Sequence, residues 1–363
     1  MIAVPEHIKS IQSYKPGKTV EELVSENSWD KYAVLWNNEN TLGVSPKAMD
    51  SVRQVLGKSN YYPDPRAAEL CGKIAQKVGQ KAENVILSNG SEGLLMSIIR
   101  AFCSNDDELL TSQGTFVIIY NWAKVNNIFC RAIPLTEEYT LDLEGILKSI
   151  NRQTKVIYLS NINNPTGTMI SQTELVAFLE KVPDNILVIV DEAYFEFSHD
   201  LSDDYPDSTK LGFPNVFSLR TFSKSYGIAG IRLGYGIASK EIISTLYKAR
   251  LTFEPSNLAQ AAGVGAIDDV DFLSKTLENN RNGLSYYYKH FDCMGIKYVP
   301  SFGNFIMTVQ ESPEEAKRIF ESLMKVGVFV RLLGGPLSHC IRISIGRPEE
   351  NEMCIKQLTE IIR

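Results

Sequence analysis

The sequence predicts an α/β protein with a large domain, built on a mainly parallel seven-stranded sheet flanked by helices, and a smaller α/β domain made from both chain ends. Three observations carry that reading. The chain has 363 residues, more than a single core of ordinary size organises. From Pro46 to about residue 250, short apolar runs alternate with helical patterns, which implies parallel strands with helices on both faces. Beyond about residue 255 the pattern changes to long helical stretches and a few strand-like runs.

The elements follow in chain order. The first 45 or so residues read as an irregular arm that drapes over a neighbour and ends in a turn at Gly43-Val44-Ser45-Pro46. Seven strands are expected at Asn84–Leu87, Glu108–Thr111, Phe129–Ile133, Val156–Ser160, Ile186–Val190, Val216–Leu219 and Leu233–Ile237. Helices are expected between them at Gly93–Phe102, Phe116–Val125, Leu141–Ser149 and Gln172–Lys181. The later part offers helices at Leu258–Ala266, Phe272–Phe291, Pro313–Val326 and from Pro348 onward. Its strand-like runs are Asn304–Val309, Val328–Leu332 and Ile341–Ile345. The expected division is an arm over 1–45 that joins the small domain, a large domain over 46–255, and a small domain over 256–363. Sheets of this class bind ligands at the carboxyl ends of their strands, and the cleft between the domains is the default substrate site.

Composition narrows the function. The formal net charge is −6, which argues against nucleic acid or an anionic membrane surface as partner. The six cysteines include no Cys-x-x-Cys pair, and the four histidines lack ligand spacing. Reduced thiols and no metal site are expected. The opening MIAVPEHIKSIQSYKPGK does not read as a signal peptide, and no apolar run reaches spanning length. A cytoplasmic protein is expected.

The residues with chemistry fall in the strand-to-loop junctions. Leu219-Arg220-Thr221-Phe222-Ser223-Lys224 ends a strand in a hydroxyl-rich turn with one lysine, and Arg232 follows eight residues later between glycines. Partial desolvation in such a turn makes a lysine amine nucleophilic. Thr221 and Ser223 can donate to phosphate oxygens, and Arg232 can grip the same group as a fork. The plainer reading is a surface lysine and a structural arginine. Asp191 closes the apolar run Val188-Ile189-Val190, where a carboxylate is costly unless it meets a cation. A pyridinium nitrogen is one such cation. A helix cap or a metal ligand is the alternative. Tyr194, three residues on, can direct its hydroxyl to a ring oxygen or simply pack.

Asn164, in Asn163-Asn164-Pro165-Thr166-Gly167, can donate its amide to the same oxygen, although such a stretch is often only a turn. Ser88-Asn89-Gly90-Ser91-Glu92 joins a strand to a helix, so the amides of Gly90, Ser91 and Glu92 can face an anion; an ordinary helix start is the alternative. No Gly-x-Gly-x-x-Gly follows the first strand, which leaves nicotinamide binding with little support. Phe116 can lie flat on an aromatic ring or sit in the core. Arg342 stands inside the apolar run Cys340–Ile345 and needs an anion, a substrate carboxylate or an internal salt bridge. Arg331, after Val328-Phe329-Val330, is a second arginine of that kind.

Taken together and in order over residues 37–347, these segments resemble the fold-type I pyridoxal phosphate aminotransferases, and within them the histidinol-phosphate aminotransferases. Asn38-Glu39-Asn40, Tyr61-Tyr62-Pro63-Asp64-Pro65 and Gly303-Asn304-Phe305 add to the likeness. The resemblance implies pyridoxal 5′-phosphate held as a Schiff base on Lys224, which also serves as general acid and base. It implies Asp191 on the pyridine nitrogen, Asn164 and Tyr194 on the ring hydroxyl, and Phe116 stacked on the ring. Gly90, Ser91, Thr221, Ser223 and Arg232 would hold the phosphate. Tyr62 would reach the phosphate in a second subunit, which implies a homodimer. Arg342 would bind the substrate carboxylate and Arg331 a substrate phosphate. The chain departs from the family at Thr41, where a proline is usual, at Asn161-Ile162, and at Glu254, where a carboxylate facing the substrate would repel a phosphate.

The expected reaction is transfer of an amino group between an amino acid, glutamate being the donor considered, and a keto acceptor of the imidazole-acetol phosphate type. Aminotransfer on an aromatic or other phosphorylated amino acid, and decarboxylation of an O-phospho-amino acid, use the same residues. A binding protein that keeps the fold without turnover is the reading from another class, and the Lys224, Asp191 and Arg232 set argues against it.

Overall fold

Unbroken aliphatic runs such as Val188-Ile189-Val190 become strands buried on both faces, and residues recurring every three to four positions become the helices that cover them. The computed structural model describes residues 2–11 and 18–362; Met1, residues 12–17 of the arm and Arg363 lie outside the described residues. The strands are β1 (Ala33–Val34), β2 (Val85–Ser88), β3 (Glu108–Ser112), β4 (Phe129–Ile133), β5 (Thr154–Ser160), β6 (Leu187–Asp191), β7 (Val216–Thr221), β8 (Gly234–Ile237), β9 (Lys297–Val299), β10 (Phe305–Val309), β11 (Val328–Phe329), β12 (Arg331–Leu332) and β13 (Cys340–Ser344).

Strands β2 to β8 form a seven-stranded sheet in the order β2-β8-β7-β6-β5-β3-β4. All neighbours are parallel except β8, which runs antiparallel to β2 and β7. The sheet is the mainly parallel one expected from the alternating pattern. Alternation along β5 and β6 divides the core. Val156, Tyr158, Leu187 and Ile189 meet the helices Gly90–Phe102, Ile118–Val125 and Lys240–Ala249, while Ile157, Leu159, Val188 and Val190 meet Leu143–Ser149 and Gln172–Leu179. Helix starts are marked by capping side chains, as where Ser171 and Glu174 cap each other reciprocally.

Register decides where the loops emerge. Ser160 pairs with Asp191, Asp191 with Leu219, Thr221 with Gly234, and Gly234 with Ser88. The ends of β2, β5, β6 and β7 therefore share one edge of the sheet, and the loops after them converge there.

The second sheet is antiparallel, ordered β12-β13-β10-β9. It packs under helices Val270–Met294, Pro313–Lys325 and Pro348–Ile362. The arm is more ordered than its composition suggests. Helices Glu6–Lys9 and Val20–Asn27 form, the second with a Thr19/Glu22 capping box, and β1 pairs with β11. Ala33 and Leu35 are wholly buried in the core of the second sheet. The irregular reading missed the Thr-x-x-Glu start signal and two apolar residues that alternate about Val34.

Helix Asn257–Ile267 packs on the larger sheet's side, with Ala259, Ala262 and Ala266 against Leu70 and Leu233. A side chain at Gly263 would collide with Leu70, so this helix and Ala68–Val78, which carries Leu70, touch closely there. The chain leaves this core after Ile267 rather than at 255. The 25-residue helix Val270–Met294, roughly 37 Å long, then joins the cores, with Leu273 packed in the first and Leu284 in the second.

Candidate active site

At the converging edge, β7 ends at Thr221 and the chain turns over Phe222 to Gly227. Phe222 and Tyr226 are buried and pin the turn to the core. The Ser223 amide donates to Thr221 Oγ1 at 3.1 Å, and the Thr221 hydroxyl donates to Ser223 Oγ at 3.0 Å. Lys224 projects from the turn, and its Nζ donates to the Asn37 carbonyl at 2.9 Å. Burial pulls its pKa down to about 8, helped by Arg342 and Arg232 and opposed by Glu39. The amine is thus far closer to its free-base form near neutrality than an exposed lysine.

Asp191 closes β6 with 3 % of its surface exposed. The Tyr158 hydroxyl donates to its Oδ2 at 2.7 Å, and the Ala193 amide to its Oδ1 at 3.2 Å. Burial pushes the carboxyl up to about 6 even against these hydrogen bonds. The next helix, Phe195–Leu201, begins after Tyr194 without a side-chain cap, so Asp191 does not serve as one. Among the described residues no group of three His, Cys, Asp or Glu side chains is placed to hold a metal ion. What Asp191 lacks is a cation.

Tyr194 accepts at its hydroxyl from Asn38 Nδ2 at 2.9 Å. Asn164 Oδ1 accepts from Arg342 Nη1 at 2.7 Å, which leaves its amide hydrogens for another acceptor. These groups and Lys224 line a cavity of about 230 Å³.

One end of that cavity is built for an anion. Ser91, Glu92, Thr221, Ser223 and Arg232 line it, and Ser91 stands in the first turn of the 13-residue helix Gly90–Phe102, where free amides point outward. Gly90 has φ +78°, and a Cβ there would lie 2.7 Å from Arg232 Nη2. Arg232 is itself left-handed at φ 58°, a conformation that costs a non-glycine residue about 1 kcal/mol or more. The Glu92 side chain turns aside and accepts from Trp122 Nε1 at 3.2 Å.

The wider cleft, about 810 Å³, shares Lys224, Phe116, Asn164 and Tyr194 with the smaller cavity and adds Arg331 and Arg342. Its far wall is apolar, from Leu332 to Leu337. Arg342 is buried on β13; its Nη2 donates to the Trp36 carbonyl, and its Nε has no partner. Burial draws its pKa down to about 10. Arg331 Nη2 donates to Asn37 Oδ1 at 2.7 Å. Among the described residues, none of Lys224, Arg232, Arg331 and Arg342 has a carboxylate within salt-bridge distance. Four cations without counter-ions around one cleft make it a receptor for anionic ligands.

Two singled-out residues lie elsewhere. Tyr62 is 81 % exposed and stacks on Phe253 at 4.3 Å. Glu254, whose repulsion of a substrate phosphate depended on its facing the substrate, lines neither cavity and turns toward Asn89. Tyr158 and Asn37 were not anticipated, and Asn38 was noted only within Asn38-Glu39-Asn40, with no role. Tyr158 reads as core in Val156-Ile157-Tyr158-Leu159, yet it stands two residues before Ser160, the partner of Asp191. Period-two alternation therefore puts Tyr158 and Asp191 on one face, a signal available once the strands are paired.

The family model for aminotransferase class I and II matches residues 31–358. Histidinol-phosphate aminotransferase 2 of Carboxydothermus hydrogenoformans is 38 % identical over 362 residues, 98 % of each chain. The histidinol-phosphate aminotransferase of Bacillus subtilis subsp. natto is 37 % identical over 364 residues, 99 % of each. Among solved structures, histidinol-phosphate aminotransferase from Sinorhizobium meliloti in complex with pyridoxal-5′-phosphate superposes with a TM-score of 0.91 at 28 % identity, covering 99 % of this chain and 97 % of that one.

Proposed function

The chain belongs to the class I and II aminotransferases, and on that premise we propose that it is a pyridoxal phosphate enzyme that moves an amino group from glutamate to imidazole-acetol phosphate, giving histidinol phosphate. The observation that carries this reading is the order of groups along one cleft. An anion-binding turn, an amine of lowered pKa, a buried carboxylate without a cation and two unpaired arginines follow one another. The cavity suits the cofactor on three counts. Asp191 awaits a cation, the close approach of Gly90 to Arg232 leaves room for an anion and none for a side chain, and Lys224 faces the space between.

When bound, pyridoxal phosphate supplies an electron-accepting pyridinium ring. Asp191 keeps a negative oxygen directed at the ring nitrogen, oriented by the Tyr158 hydroxyl and the Ala193 amide. Asn164 and Tyr194 offer donors to the ring oxygen, and Phe116 offers a flat face. Gly90, Ser91, Glu92, Thr221, Ser223 and Arg232 take the phosphate. Lys224 Nζ withdraws the proton from the substrate α-carbon. Arg342 grips the substrate carboxylate, or the group in its position, and Arg331 the substrate phosphate. We read the working form as a cytoplasmic homodimer. Exposed Tyr61, Tyr62, Leu251 and Phe253 supply an apolar face for a second copy, and Tyr62 would extend from it to the partner's phosphate.

Lys224→Ala tests the cofactor assignment. The expected protein lacks the yellow Schiff-base absorbance, takes no label on borohydride reduction and has no turnover; normal activity refutes the role. A donor and acceptor screen over histidinol phosphate, glutamate, aromatic and phospho-amino acids tests the substrate. Preference for an aromatic acceptor over imidazole-acetol phosphate would displace it, and carbon dioxide release without a 2-oxo acid would select a decarboxylase.

A further inference from the structure

Glu254 is a buried acid that the reading above does not use. It lies between helices Lys240–Ala249 and Asn257–Ile267 and is 4 % exposed. Its Oε2 accepts from Asn89 Nδ2 at 3.1 Å, and its Oε1 is buried with no hydrogen-bond partner. Ser88 Oγ, on the adjoining end of β2, is likewise buried and unpartnered. The charged group facing Glu254 is Arg250, whose Nη1 and Nη2 are turned to the carbonyls of Leu87 and Pro65. Ser88 and Asn89, which face it from β2 and its turn, do not titrate. Burial pushes the carboxyl up, with Arg250 first and then the nearby Ser88 hydroxyl and the Leu251 and Asn89 amides pulling the other way.

Asn89 is the residue before Gly90, and its side chain makes no cap for the helix that follows. That side chain is instead tied to Glu254. The contact fixes the turn that presents Gly90 and Ser91, and it sets a carboxylate without an ion pair behind that turn, outside the cavity it lines.

We propose that Glu254 is a positioning residue for the phosphate end of the site, its oxygen anchoring the Asn89-Gly90-Ser91 turn while its negative charge opposes the phosphate held there. The inference rests on the pyridoxal phosphate reading. The two actions have opposite signs and separate chemically. Glutamine keeps the acceptor and removes the charge; alanine removes both.

The test is equilibrium binding of pyridoxal phosphate to the full-length apoprotein at pH 8.5, with pyridoxal, which lacks the phosphate, in parallel. Glu254→Gln should bind pyridoxal phosphate roughly fivefold more tightly than wild type. Glu254→Ala should bind it roughly tenfold more weakly than Glu254→Gln, and Asn89→Ala, which removes the same contact from the other side, should match that anchoring loss. Pyridoxal affinity should not move in any variant. Equal affinities for pyridoxal phosphate across the series, or pyridoxal affinities that change in step, would overturn the inference while leaving the cofactor reading intact. A wild-type protein that binds no pyridoxal phosphate, or binds it with no Schiff base on Lys224, would remove both.

Discussion

Two arginines are buried in apolar strands of this chain, and they have opposite surroundings. Arg220 on β7 is saturated: its Nε donates to Glu192 Oε2 at 2.8 Å, its Nη2 to Asp207 Oδ1 at 2.6 Å, and its guanidinium lies over the Phe195 ring. Its carboxylates hold its pKa above the usual arginine range despite burial. Arg342 on β13 also lies over a ring, that of Phe305, at 5.5 Å, but its hydrogen-bond acceptors are only the neutral oxygens of Asn164 and Trp36, its Nε is unpartnered and its pKa is drawn down to about 10. A fully compensated cation is part of the framework, whereas a cation left short of an anion is able to take one from a ligand. The position of the first supports the second. Glu192 and Arg220 follow the Asp191–Leu219 pair in register, so their ion pair ties β6 to β7 directly behind Asp191 and the Lys224 turn.

The comparison breaks if both arginines respond alike to removal. Arg220→Met should leave Glu192 as a buried, uncompensated carboxylate and Asp207 with Lys210 alone, and should cost about 3–5 kcal/mol of stability, read as a lower urea midpoint. Arg342→Met should leave stability unchanged or raised, because it removes a desolvated charge, and should lower kcat/KM by about a hundredfold through the lost carboxylate grip. A ligand sharpens the same contrast. Saturating 2-oxoglutarate should protect the wild-type holoenzyme by up to about 2.7 kcal/mol at a hundred times Kd, seen as a higher Tm, and should protect the Arg342→Met variant far less.

Lys224 extends the contrast to pH. Its folded pKa of about 8 lies below the 10.5 of an exposed lysine, so a folded apoprotein carries a penalty for the charged amine. The penalty is full below pH 8 and fades as pH rises from 8 toward 10.5. Apoprotein stability should therefore gain on the alkaline side relative to Lys224→Met, which has no such group. Superimposable pH profiles for the two proteins would show that the lysine is not desolvated.

The seven-stranded sheet and its converging loops were legible because apolar runs and helical patterns alternate at regular spacing, and an arginine inside Cys340–Ile345 is conspicuous against its neighbours. Arg220 was not singled out, since its charge reads as part of a polar turn and its partners Glu192 and Asp207 lie 28 and 13 residues away. Helix Asn257–Ile267 went to the wrong neighbour for a related reason: small residues such as Ala262 and Gly263 carry no sequence mark of the helix they pack on. Glu254 could be seen as a departure, but only the folded loop shows that it points at Asn89. Periodicity reports which face is buried; it does not report what lies across a long-range contact.

The smallest expected effect tests how a buried group of this site is tuned. Tyr158 contributes one hydrogen bond to Asp191 from within the apolar core, at 2.7 Å. Tyr158→Phe removes the hydroxyl and keeps the ring that packs in the core, so the fold should lose no more than about 1 kcal/mol. The carboxyl loses a donor that favours its charged form, and its pKa, already pushed up to about 6, should rise further. In wild type the raised value means that ionised Asp191 is a folding cost, absent at low pH and developing as pH climbs from the ordinary aspartate value through 6. A cationic ligand offsets that cost. Cofactor affinity should therefore fall on the acid side as Asp191 is protonated, and in Tyr158→Phe that fall should begin at higher pH, with only a severalfold loss at pH 8. An acid limb that stays in place would mean that the Ala193 amide alone sets the carboxylate, and that Tyr158 belongs with Arg220 as framework rather than with the groups that face the ligand.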